Sequence, residues 1–94
     1  MFLISGIKMS DNNDISSKCV GYYTTKEMAE IAVEENICDI YENTYSYAVI
    51  EDFGPGTHPE CRGRQFFSFN KFSRKYRPVD EPDECKNIDR FAIF

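Results

Sequence analysis

Only one stretch of this sequence keeps apolar residues at sustained helical spacing. Ala29, Ala32, Val33, Asn36, Ile37 and Ile40 recur on one side, while Lys26, Glu27, Glu30, Glu34 and Glu35 lie largely off it. The spacing predicts a helix from Lys26 to about Tyr41, docked through a small alanine-rich face. Thr24 and Glu27 stand at the capping-box spacing that would open it. The other periodic segments are short and strand-like, so a single helix must cover a sheet.

Phe2 to Met9 reads as a first strand. Ser10 to Ser17 reads as a polar turn centred on Asp11-Asn12-Asn13-Asp14. Lys18 to Tyr23 then forms the hairpin partner. After the helix, Thr44 to Phe53 reads as a strand with Tyr45, Tyr47, Val49 and Glu51 on one face. Gly54-Pro55-Gly56-Thr57-His58-Pro59 is a breaker loop. Gln65 to Phe72 reads as a strand with Phe67 and Phe69 on one face and Phe66 on the other, and Tyr76 to Val79 as a short extension of the sheet. Glu81-Pro82-Asp83-Glu84 suits the first turn of a short helix, and Arg90 to Phe94 a closing strand. The expected fold is one α+β domain over residues 1–94: an antiparallel sheet of four or five strands, order β-β-α-β-β, packed on one face by a single helix.

Eight Phe and six Tyr, with no Trp, make the core of this 94-residue chain aromatic. The apolar runs Met1-Phe2-Leu3-Ile4 and Tyr47-Ala48-Val49-Ile50 fall far short of the ~20 residues of a membrane helix. No basic segment precedes the first of them, so a signal peptide is not expected and a cytoplasmic setting is. Disulfides are then disfavoured for Cys19, Cys38, Cys61 and Cys85, and Cys19 and Cys38 read as small core residues. The net charge is −5 but unevenly spread. Arg62 to Val79 carries Arg62, Arg64, Lys71, Arg74, Lys75 and Arg77 and no acid, while all 16 acids lie elsewhere. Such a block steers anionic partners.

The run Tyr22-Tyr23-Thr24-Thr25-Lys26-Glu27-Met28-Ala29-Glu30 is one of three characteristic segments. The others are Phe69 followed by Tyr76-Arg77-Pro78-Val79-Asp80-Glu81-Pro82, and Asn87-Ile88 followed by Phe91-Ala92-Ile93. Together they resemble small uncharacterised α+β proteins of bacteria and their phages. The resemblance implies a hairpin, a helix and a strand ending in Phe-Ala-Ile, in a mobile-element setting. Its motifs are structural, and no functional residue is carried over.

The basic-aromatic block gives the candidate binding residues Arg62, Arg64, Phe66, Phe69, Lys71, Arg74, Lys75 and Arg77. Arg62-Gly63-Arg64-Gln65-Phe66-Phe67-Ser68-Phe69 is similar to the RNP1 signature of RNA-recognition motifs at Arg62, Gly63, Phe66 and Phe69. Arg64 and Gln65 depart from it, and that fold's second helix is missing from the element order. Exposed rings flanked by Arg would stack a base for ~1–3 kcal/mol; the competing reading is a half-buried strand with a solvated basic edge. Glu27, Glu30 and Glu34 offer a secondary, acidic surface on the helix. His58, Cys61 and Cys85 are weak metal candidates, because the paired Cys spacing of zinc sites is absent. A catalytic set is not expected: His58 is the sole histidine, Glu51 and Asp52 point to opposite faces of a strand, and no phosphate-binding Gly loop occurs.

The reading that results is a non-enzymatic binding protein without a cofactor. It would be a phage or mobile-element inhibitor, anti-CRISPR-like, acting on a host immune or nucleic-acid-handling protein. The alternative is a nucleotide- or RNA-binding protein, an oligomeric sponge for a signalling nucleotide, using residues 62–77. Opposed charge on one small molecule also favours homo-oligomers.

Overall fold

The computed structural model describes residues 1–9, 14–37, 45–55 and 61–92. Five strands, β1 (Phe2–Met9), β2 (Ile15–Tyr23), β3 (Tyr47–Phe53), β4 (Cys61–Asn70) and β5 (Lys75–Val79), form one antiparallel sheet in the order β2-β1-β3-β4-β5. One helix, α1 (Lys26–Glu34), lies between β2 and β3 in sequence. The α+β class and the antiparallel sheet with one helix thus agree with the sequence, with β5 as a fifth strand.

The strand side chains alternate between two faces. Ile4, Ala48, Ile50, Phe67 and Tyr76 point to one face, where Ala29, Ala32 and Val33 of α1 close the core. Ile7, Val49 and Phe66 point to the other, covered by Cys85 and Phe91 from the segment after β5. The sheet is therefore covered on both faces, although only one covering element was expected. The alanines let α1 sit close to the sheet. Gly6 serves a similar close approach: a Cβ there would meet the Tyr45 ring at 2.6 Å.

Several boundaries differ from the sequence expectation, each for a local reason. The N-cap of α1 is Thr25, not Thr24: its Oγ1 accepts the Met28 N–H at 3.3 Å. The helix ends at Glu34 rather than near Tyr41, because Asn36 adopts φ 55° and Ile37 N–H returns to the Ala32 carbonyl. That is a left-handed helix stop, for which Asn is suited. Ile37, expected on the buried stripe, is 58 % exposed beyond this stop, and Ile40 and Tyr41 lie outside the described residues. β2 begins at Ile15, inside the expected polar turn, since Ile15 pairs with Met9. β4 spans Cys61–Asn70, earlier at both ends than expected, because Asn70 turns the chain towards β5. Phe91 and Ala92 do not form a closing strand; their N–H groups bond a side chain instead, as described below. Ile93 and Phe94 lie outside the described residues.

Candidate functional site: a hairpin tip and a cleft at opposite ends of β4

The candidate residues of the basic-aromatic block separate along β4. Its first half is largely consumed by the fold. Phe66 is 2 % exposed and packs edge-on against Phe91, ring centroids 5.9 Å apart. Arg64 has a side chain only 17 % exposed and pairs with Glu81. It donates to the Ile88 carbonyl at 2.6 Å and the Cys85 carbonyl at 3.2 Å. Its guanidinium carbon also lies 5.4 Å from the Phe66 ring centre and 5.6 Å from that of Phe91, within cation–π range. Phe69 is half-buried and meets Tyr76 edge-on at 5.3 Å. Arg62 is outside the core and pairs with Asp52 at 3.0 Å.

Glu51, opposite Arg64 on β3, completes this arrangement. It is fully buried, and its carboxylate accepts the Phe91 and Ala92 N–H groups, each at 2.8 Å. Glu51 thus takes amides, and Arg64 gives to carbonyls, of one strap over residues 81–92. Burial pushes the Glu51 carboxyl above its ordinary pKa, against the lowering effect of the two amides and of Arg64. The sequence placed Glu51 on a strand face with Tyr47 and Val49 but gave it no role. An acid in register with apolar neighbours was the available signal.

The second half of the block stands free of the core. Between β4 and β5, the Asn70 side chain accepts the Phe72 N–H at 2.9 Å and the Ser73 N–H at 3.1 Å. Arg74 N–H closes the turn onto the Asn70 carbonyl, and Arg74 itself sits at φ 59°. This ordered turn carries Phe72 wholly exposed, at 101 %. Lys71 and Arg74 share the turn with Phe72, and Lys75 and Arg77 follow in β5. Lys75 reaches Glu35 at 3.1 Å; among the described residues Lys71, Arg74 and Arg77 have no carboxylate within ion-pair distance. Sequence reasoning named these cations but placed Phe72 at the end of a strand. A single Asn before Lys-Phe-Ser was the missed turn signal. Cys61 and Asn70 are the two ends of the ten-residue β4, about 30 Å apart at strand rise. The block is therefore two separated regions and not one patch.

Towards the other end of β4, the start of α1 and the sheet enclose a second feature. There a cleft of about 270 Å³ is lined by Phe2, Ile50, Asp52, Gly63, Gln65 and Lys26, with Arg64 at its edge. Gly63 helps to open it, since a Cβ at that position would meet nothing within 4 Å. Glu27 and Glu30 are on the adjacent first turns of α1, and Glu34 is at its far end.

Cys85 is buried beside Phe91, whereas Cys61 packs with Leu3, Phe53 and Ala92. Cys19 is exposed on β2, not in the core as its apolar neighbours implied. His58 and Cys38 lie outside the described residues. Among the described residues, no group of three potential ligands is placed to hold a metal ion, and no helix is long and apolar enough to cross a membrane. Comparison with protein-family models, curated proteins and solved structures finds no match.

Proposed function

We propose that this chain is a small binding protein, without a reaction of its own, that acts by occupying the surface of a partner protein. The contact is the β4–β5 hairpin tip, and the partner surface is an apolar pocket with an acidic rim. The observation that carries this reading is Phe72, a wholly exposed ring held on an ordered turn among cations. A pre-ordered aromatic with neighbouring Arg matches the composition of interface hot spots, and its order limits the entropy lost on docking. The sequence resemblance to mobile-element proteins supports an inhibitor of a host immune or nucleic-acid-handling factor as the biological setting. The nucleotide or RNA reading relies on Phe66 and Phe69 as stacking platforms. Phe66 is interior and Phe69 is engaged by Tyr76, which favours a protein partner.

The test is capture from a bacterial lysate at physiological salt. It compares the natural chain with Phe72→Ser, with Lys71→Glu/Arg74→Glu and with Arg62→Glu. A partner lost by the first two variants and kept by the third is expected. A partner held equally by both tip variants would falsify the assignment. Salt-sensitive binding of RNA by the natural chain, with no protein captured, would return the nucleic-acid reading.

A further inference from the structure

We propose that two copies of this chain join through their β2 edges, antiparallel about a two-fold axis centred on Ser17, so that their two sheets become one. The two edges of the sheet differ in how well they are guarded. β5 has only five residues, carries Lys75 and Arg77, and contains Pro78, which lacks the N–H a further strand would bond. β2, at the opposite edge, is nine residues long, has no proline, and holds Lys18 as its single charge. Ser16, Ser17, Lys18 and Cys19 are exposed in succession. Successive side chains point to opposite faces, so neither α1 nor the strap covers this stretch. Among the described residues no strand pairs with its outer side. Such an edge offers a row of unpaired N–H and C=O groups, which a second copy of the same edge satisfies. No acid stands in β2, so two copies of a chain with net charge −5 can meet there.

The register follows from a bulge. Ser5 pairs with Cys19 and Ile4 with Gly21, which leaves Val20 as an extra residue. Regular alternation therefore stops there, and Ile15–Cys19 is the segment left to pair. A two-fold axis normal to the sheet sets one residue opposite its own copy. With Ser17 as that residue the whole segment is used: Ile15 faces Cys19 of the second copy, Ser16 faces Lys18, and Ser17 faces Ser17. A centre at Lys18 would oppose two ammonium groups, which destabilises a strand pair. The contact uses the same patch on both copies and closes at a dimer. It does not depend on the function proposed above, because the Phe72 turn adjoins β5 at the far edge and stays free in both copies.

The test is sedimentation equilibrium on purified chain at up to about 1 mM, where contacts of millimolar affinity are populated. Reductant keeps the exposed Cys19 from linking copies. The natural chain is expected to form dimers and nothing larger. Ser17→Lys and Ser17→Glu each set like charges face to face and should weaken dimerisation several-fold. Mixed in equal amounts, they should form a heterodimer several-fold tighter than the dimer of either variant alone. Ser17 is exposed, and circular dichroism verifies both folds. Hydrogen exchange on the natural chain locates the contact without any substitution. Amide protection between Ile15 and Cys19 should rise with concentration, while that of Lys75–Val79 should not change. A natural chain that stays monomeric at the highest concentration overturns the inference. So do growth beyond a dimer, folded variants that associate no better when mixed, and concentration-dependent protection that leaves out β2.

Discussion

The two halves of the segment from Cys61 to Arg77 have similar chemistry and opposite fates. Each offers cations among phenylalanines. In β4, Arg64 and Phe66 are turned inward, and the guanidinium spends its donors on two carbonyls and Glu81. In the turn beyond Asn70, Phe72 and Arg74 are turned outward and nothing in the fold needs their side chains. The difference comes from register and not from composition. Arg64 is opposite Glu51 and below the strap, whereas Phe72 follows an Asn that ends the strand. A cation of the basic block is therefore available to a partner only where its side chain has no fixed partner in the fold, as for Arg74 in the turn and Arg77 on β5.

The comparison is sharpest in stability. Phe66→Ala should cost about 3–5 kcal/mol, as aromatic truncations in packed cores do. Phe72→Ala should stay within about 0.5 kcal/mol, the range of exposed sites. Urea unfolding measures both, and equal losses would place Phe72 in a packed environment. The two Arg residues of β4 should divide likewise. Arg64→Ala leaves two strap carbonyls and Glu81 without their donor and should cost about 3 kcal/mol or more. Arg62→Ala removes a largely exposed pair with Asp52 and should cost less than about 1 kcal/mol. In a hydrogen-exchange experiment, Arg64→Ala should also expose the Phe91 and Ala92 amides before those of β1 and β3.

Most of the sheet was legible because strand alternation and hairpin spacing are local signals. Phe2–Met9 agrees to the residue, and Lys75–Val79 differs from the expected Tyr76–Val79 by one position. The helix stop at Asn36 was legible in principle, but the apolar period running on to Ile37 and Ile40 outweighed it. The strap was not legible. Its N–H groups are satisfied by a carboxylate 40 residues earlier in the sequence, a long-range pairing without periodicity, and Phe-Ala-Ile in isolation looks like a strand. The role of Arg64 was hidden for the same reason, since only the fold brings Cys85 and Ile88 to it.

The buried acid gives that strap a pH signature. Burial raises the Glu51 pKa in the fold above its ordinary value, so between those two values the folded chain binds more protons than the unfolded one. The contribution of this group is therefore greatest below the ordinary value and is lost as pH rises through the folded value. Glu51→Gln should flatten this slope of unfolding free energy against pH. It should also cost about 1–3 kcal/mol in mild acid, because one strap amide loses its acceptor. A variant with the natural slope would move its origin to another group.

A small expected effect separates stability from binding at one residue. Arg74 stands at φ 59°, a left-handed conformation that burdens a non-glycine residue by roughly 1–2 kcal/mol. Glycine adopts it freely but gains flexibility in the unfolded chain, which offsets part of the relief. Arg74→Gly should therefore change stability by less than about 1 kcal/mol, on the favourable side, with the Asn70 bonds to Phe72 and Ser73 retained. The same change deletes a cation from the turn that carries the exposed ring, so partner capture should weaken. Arg74→Lys tests the charge without changing the backbone: it should keep most of the partner capture and none of the stability gain. If Arg74→Gly instead destabilises the chain by more than about 1 kcal/mol, the Arg74 side chain belongs to the fold as Arg64 does. The contrast between the two halves of the block would then end at Phe72.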